Sequence, residues 1–209
     1  MKQHEQVIEV MRKNGGFATL GFLNQTVDVS NWKSKTPFAS IRRIVQDEKY
    51  FFKIKPGLWA LKEFRENVLR KFQLQDTSKK ENQDKFNHSY YQGLLIEIGN
   101  LKGYQTYIPR QDQNKMFLEK PLGSISNVED IFQFSHPEIV NRAKSVDVIW
   151  FNERRMPYSF FEVEHKGDIQ NSLLKFQDLQ DFYSNFYIVS PLLEKESLRE
   201  KLDMVRLKR

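Results

Sequence analysis

Hydrophobic positions in "HEQVIEVMRKNGG" (residues 4–16) recur at helical spacing. Val7, Ile8, Val10 and Met11 share one face, and Gly15-Gly16 supplies the stop. "FATLGFLNQTV" (17–27) predicts a short second helix with Leu20, Leu23 and Val27 inward. "WKSKTPFASIRRIVQDE" (32–48) predicts a third, with Thr36 as cap and Pro37 at the first helical position. Its buried stripe is Phe38, Ile41, Ile44 and Val45. "YFFKIKPGLWAL" (50–61) alternates on both sides of Pro56-Gly57, which is a hairpin signal.

Residues 65–86 turn polar and charged, with the breaker Asp76-Thr77-Ser78-Lys79-Lys80, and are read as a linker between domains 1–64 and 87–209. Beyond them "HSYYQGLLIEIGNLKGY" (88–104) predicts a helix with Tyr91, Leu94, Leu95, Ile98 and Leu101 inward. A strand "YQTYIP" (104–109) follows, then a connection with short helix signals at "NVEDIF" (127–132) and "HPEIVNRAK" (136–144). Strands "VDVIWF" (146–151) and "YSFFEVEH" (158–165), a helix at 168–183, a strand "NFYIVS" (185–190) and a last helix at 192–205 complete the order. The expected fold class is α/β (α+β): a winged helix-turn-helix, from helix, helix, helix, hairpin, followed by a mixed sheet flanked by helices.

Charge separates the same two regions. Residues 1–64 hold 11 Lys/Arg against 6 Asp/Glu, and residues 65–209 hold 22 against 21. A basic module beside a nearly neutral one is the footprint of a nucleic-acid-binding piece joined to something else. With 17 Phe and 8 Tyr a sizeable core can form, and the lack of Cys excludes thiolate zinc sites and cysteine nucleophiles. No stretch has the composition of a membrane span or an export signal, so the expected location is prokaryotic cytoplasm.

"TPFASIRRIVQDEKYFFKIKPGLWAL", with Trp32, Ser40-Ile41 and Gly57-Leu58-Trp59-Ala60, resembles the HARE-type winged helix over residues 3–63. The resemblance implies double-stranded DNA as partner. Lys33, Ser34, Lys35, Ser40, Arg42 and Arg43 would then meet a groove, with wing residues Lys53 and Lys55 on phosphate. A winged helix used for protein contact is the alternative.

Glu162 and Glu164 stand in the apolar strand "FFEVEHK", on one face with Lys166, while Phe161, Val163 and His165 take the other. Asp147 opens the preceding strand, and a hairpin through "NERRMPY" brings it toward the glutamates. Three converging carboxylates repel unless a divalent cation neutralises them, and hard oxygen ligands without Cys favour Mg2+, with Mn2+ able to substitute. The polar loop Gln111-Asp112-Gln113-Asn114 follows the first strand of this region, and Arg110 flanks the site.

Asp147, a gap of 14 residues, then Glu162-Val163-Glu164 resembles the PD-(D/E)xK nuclease superfamily, in its "FEVEH" branch, over residues 88–190. The resemblance implies a Mg2+-dependent, sequence-specific endonuclease of the type II restriction class. It implies a homodimer for a symmetric cut and a cognate DNA methyltransferase encoded nearby. Asp147, Glu162 and Glu164 would be metal ligands, and Glu97 the helical acidic residue that assists them. Where the superfamily has Lys two residues after the acidic ligand this chain has Glu164, which leaves the general base open between Lys166 and a water held by Glu164. Arg110, Gln111, Gln113 and Asn114 would add DNA contacts. Two other readings remain at this point: a DNA-binding regulator with an inactive nuclease-like domain, and a structure-specific repair nuclease.

Overall fold

Gly15 and Gly16 adopt the left-handed backbone that only glycine takes without strain, with φ of 77° and 89°. They end α1 (Gln3–Lys13) and turn the chain into β1 (Phe17–Thr19). The computed structural model describes residues 2–72, 80–164 and 169–190, with residues 80–87 described as helical backbone only. It divides into two units, Met1–Ser78 and Lys79–Arg209.

In the first unit, Val7 and Met11 of α1 are fully buried, as their spacing predicts. The predicted second helix is shorter than expected because residues 17–19 form β1. Thr19 then accepts a hydrogen bond from Phe22 N (3.0 Å) and caps α2 (Leu20–Thr26). Helix α3 (Pro37–Ile44) starts at the predicted proline, and residues 32–36 precede it as irregular chain. Ile41 and Val45 are buried, but Phe38 is 54% exposed rather than part of the stripe. Strands β2 (Phe51–Lys55) and β3 (Leu58–Leu61) form the expected hairpin, turning at Gly57 with φ 79°. Strand β1 pairs with β3 from the other side, so the sheet order is β1-β3-β2. Val7, Met11, Leu23, Ile41, Val45, Phe51 and Leu61 form the core. Helix α4 (Arg65–Lys71) lies inside the stretch read as a linker, yet Val68 is buried and Phe72 sets its ring edge-on to Phe17 at 4.9 Å.

The second unit opens with α5 (Lys80–Leu101), followed by β4 (Gln105–Tyr107) and a small hairpin of β5 (Met116–Phe117) and β6 (Lys120–Pro121). Then come α6 (Leu122–Ile125), α7 (Pro137–Ala143), β7 (Val148–Phe151), β8 (Pro157–Val163), α8 (Ile169–Asp178) and β9 (Asn185–Val189). The four-stranded sheet runs β4-β7-β8-β9; its first two pairings are antiparallel and β8-β9 is parallel. Parallel neighbours need a crossover, and α8 provides it. One face of the sheet packs Ile149, Phe151 and Phe160 against Ala143 of α7 and Phe176 of α8.

Two expectations for this unit need correction. Residues 127–132 form no helix: Val128 N donates to Thr106 O (3.0 Å), and the segment runs beside β4. Helix α5 buries Ser89, Tyr90, Gln92, Gly93, Ile96 and Gly99, while Ile98 and Leu101 are exposed. Glycine decides this orientation. A Cβ on Gly93 would lie 2.1 Å from the Phe117 ring, and one on Gly99 would lie 2.6 Å from Trp150 Nε1. The helix sits so close that Trp150 donates to the Leu95 carbonyl at 3.1 Å. Close approach of backbone to ring outweighs the apolar side chains of the other face. The helix expected at 192–205 lies outside the described residues, as do His165 and Lys166.

Candidate active site

Strands β7 and β8 pair Val148 with Phe161, and continuing that register by one residue sets Asp147 opposite Glu162. Asp147 Oδ2 accepts a hydrogen bond from Val163 N (2.8 Å), which fixes the carboxylate at the end of the two strands. Its other oxygen, Oδ1, lies 3.3 Å from His88 Nε2 of α5. Asp112, 2% exposed in the loop after β4, reaches the same place. Ligand atoms of His88, Asp112 and Asp147 all lie within 4.8 Å of one another. Asp112 is held on both oxygens, by Gln92 Nε2 (2.6 Å) and by Lys115 Nζ (2.6 Å).

Glu162 is 2% exposed and belongs to an adjoining cluster. Lys175 of α8 donates to both of its oxygens at 2.9 Å, and Ser172 Oγ to Oε2 at 3.3 Å. Ser172 also hydrogen-bonds Glu164, so the two glutamates do share the face of β8 that meets α8. Burial and the neighbouring Asp147 charge raise the Glu162 carboxyl to about 7, against the opposing pull of Lys175 and Ser172. Burial alone would lower His88, but its hydrogen bond and Coulombic attraction to Asp147 carry it above its ordinary value.

The expected trio of carboxylates is therefore split among the described residues. Asp147 gathers with His88 and Asp112, whereas Glu162 and Glu164 meet at Ser172, because Lys175 already occupies both Glu162 oxygens. The structure brings His88 rather than Glu97 to Asp147: Glu97 is nine residues further along α5, roughly 13 Å at the helical rise per residue. Lys175 was absent from the sequence reading. Its signal was available, since Ile169 and Phe176 mark the inward stripe of α8 and the polar Ser172 and Lys175 stand on that side three residues apart.

The predicted flanking residues scatter. Arg110 and Gln111 line a cleft of about 500 Å³ with Asn141, Lys144 and Ser145, and Arg110 is paired with Asp130 (Nε to Oδ1, 3.0 Å). Lys175 donates to the carbonyl of Ser145 (2.9 Å), one of the residues that line this cleft. Gln113 and Asn114 line a second cleft of about 370 Å³, and Gln113 donates to Glu129 O (3.2 Å). In the first unit Lys33, Lys35, Arg42, Arg43 and Lys53 are exposed, and Ser34 and Lys55 are half-buried. Ser40 is buried, 3.0 Å from Ser34 Oγ and donating to Thr36 O (3.3 Å), so it positions the start of α3 instead of facing outward. Burial lowers the Lys55 ammonium to about 8.

The strand end thus gathers buried acidic groups, an imidazole and a lysine. The sequence profile of the family described as the type II restriction enzyme NmeDI C-terminal domain matches residues 68–208, and the chain belongs to that family. A curated relative, the type II restriction enzyme NmeDI of Neisseria meningitidis serogroup C, is 25% identical over 131 residues, which is 58% of this chain. The match spans 37% of that relative's own length. No solved structure matches the chain. Among the described residues no helix is long and apolar enough to cross a membrane.

Proposed function

We propose that the second unit is a PD-(D/E)xK nuclease core that hydrolyses phosphodiester bonds of double-stranded DNA at a specific sequence, as a type II restriction enzyme. The observation that carries this reading is that Asp147, held by Val163 N, and Glu162, held by Lys175, stand at the same end of the paired strands β7 and β8. The four-stranded sheet, in which α5 precedes β4, β7 and β8 and α8 crosses over to β9, supports it, as does membership of a restriction-enzyme family.

The donor set fits a divalent ion, Mg2+ or Mn2+: Asp147 offers a carboxylate at the start of β7 beside buried Asp112 and half-buried His88, and Glu162 would join them through one oxygen while the other keeps Lys175. Such an ion, when bound there, supplies Lewis-acid polarisation of the scissile phosphate and a more acidic water. The protein's own groups do the rest. Lys175, held by Glu162, places an ammonium where negative charge builds up on the phosphate. It supplies from α8 the cation that the strand lacks after Glu162, which favours an active enzyme over a regulator with an inactive domain. Glu164 and Ser172 orient the attacking water from the same face. The Arg110–Lys144 cleft receives the neighbouring backbone.

The first unit is proposed to be a winged helix that holds DNA through Lys33, Lys35, Arg42 and Arg43 around α3 and Lys53 on the wing. Cutting both strands of a symmetric site calls for two active sites, hence a homodimer. The test is plasmid cleavage with divalent ions. Wild type is expected to cut, while Asp147→Ala and Glu162→Ala lose at least on the order of 10²-fold in single-turnover rate yet still bind DNA in a mobility shift. Undiminished cutting by both variants would overturn the assignment.

A further inference from the structure

We propose that Phe38 and Ala39 of α3 read the 5-methyl group of a pyrimidine, thymine or 5-methylcytosine, in the major groove of DNA. Along α3 Ser40 and Ile41 are buried, while Phe38, Ala39, Arg42 and Arg43 are exposed. Those four stand as two pairs one turn apart, so they form a single outward stripe. The stripe is apolar in the first turn of the helix and cationic in the last. Phe38 is 54% exposed and directly follows the Pro37 that opens the helix. One exposed phenyl is ordinary on a protein surface, but the surroundings of this one are not. From Val29 to Gln46 the chain holds four cations, Lys33, Lys35, Arg42 and Arg43, and no acidic residue. All four are exposed. An apolar contact set among cations fits a polyanion that also offers an apolar group.

The groups that DNA displays decide which one. In the major groove the base edges present donors, acceptors and a single apolar group, the 5-methyl of thymine. Cytosine methylated at the same carbon presents the same group. A phenyl ring and an alanine methyl make no hydrogen bond to a base edge, so covering a donor or acceptor with them leaves it unpaired, at a cost. Covering a methyl instead removes apolar surface of both partners from water. The placement along the chain agrees. The N-terminal residues of a helix docked in that groove are those that reach base edges, and Phe38 and Ala39 lie in the first turn. Lys33 and Lys35 precede them and Arg42 and Arg43 follow, which leaves cations for phosphates on either side. The inference rests on the proposal that the first unit holds DNA, and adds what that unit reads.

The test uses the full chain without divalent ions, so that no duplex is cut. Double-stranded oligonucleotides enriched by binding from a random library give the preferred sequence. In that duplex each thymine is replaced by uracil, which lacks the methyl, and each cytosine by 5-methylcytosine, one position at a time. Wild type is expected to lose about fourfold in affinity at one thymine, or to gain about fourfold at one cytosine, the change expected for one buried methyl. The arm that responds identifies the source of the methyl. Phe38→Ala should bind both members of the responding pair alike, and Phe38→Leu should keep part of the difference. Arg43→Ala should weaken both members equally and leave their ratio as in wild type. The wild-type comparison needs no variant, so misfolding cannot imitate it. A wild type blind to every methyl, or a Phe38→Ala protein that keeps the full ratio, overturns the inference. If Lys35→Ala and Arg43→Ala weaken binding in that case, the first unit as holder of DNA stands and only the methyl contact falls. If they too leave affinity unchanged, both readings fall.

Discussion

The two units bury different things. In the first, the buried polar side chains among the described residues are Thr19 and Ser40, and both serve helix starts. The second buries Ser89, Gln92, Thr106, Asp112, Ser159, Glu162 and Ser172, most of them near one end of β7 and β8. Burying a polar group costs free energy unless it is paired, so a fold places many together only where something offsets the cost. The first unit instead keeps its charges outside, with Lys33, Lys35, Arg42, Arg43 and Lys53 exposed around an apolar core. An exposed basic surface can hold a polyanion but has no dry, preorganised groups with which to do chemistry on it. On the function proposed above, the contrast would give binding to one unit and reaction to the other.

The largest effect expected after loss of the paired carboxylates is that of Lys175→Met. It should lower single-turnover cleavage by roughly 10²–10³-fold while leaving DNA affinity within the range of wild type. Lys175→Arg should recover part of the rate, and a full-rate Lys175→Met enzyme would move the reaction elsewhere. Gly99→Ala comes next. Its Cβ would press on Thr106 and Trp150, and overpacking of this kind costs about 1–3 kcal/mol. Thermal unfolding should show the loss in the second unit, with the first unchanged; an unshifted transition would mean that α5 is free to move away from the sheet.

Substitutions on the basic surface should act more gently. Lys35→Ala or Arg43→Ala is expected to weaken DNA binding about equally across sequences and to reduce the slope of log affinity against log salt by about 1. Cleavage of saturating short duplexes should not change, and a collapse of the chemical rate would erase the division of labour. The smallest effect concerns Lys55, whose folded-state value near 8 lies below its ordinary 10.5 because burial disfavours the charge. Between those values the unfolded chain binds more protons, so stability should rise as pH increases from about 8 to 10.5. Lys55→Met should flatten that rise in denaturant titrations at several pH values.

Much of this was legible in residue order. Alternation in "VDVIWF" and "YSFFEVEH" gave the central strands, Pro37 opened α3, and Pro56-Gly57 gave the hairpin turn. These features are local: the period of two, the ring of proline and the freedom of glycine act within a few residues. The buried face of α5 departs from its periodicity because the Leu and Ile count favours one side while Gly93 and Gly99 allow the other to approach Phe117 and Trp150. Residues 17–19 are strand where their local pattern predicts helix, because their pairing partner, β3, lies some forty residues away.

The sequence by itself determined where the wing hairpin, the strands of the four-stranded sheet and most helices fall, which third of the chain is basic, and that carboxylates stand in an apolar strand. Only the tertiary structure decided which groups those carboxylates meet. Asp147 joins His88 and Asp112, and Glu162 joins Lys175, because a strand register, a crossover helix and a glycine-lined contact bring together residues far apart in the chain. Partners chosen across such distances leave no mark in local periodicity, since each depends on the packing of the elements that carry it.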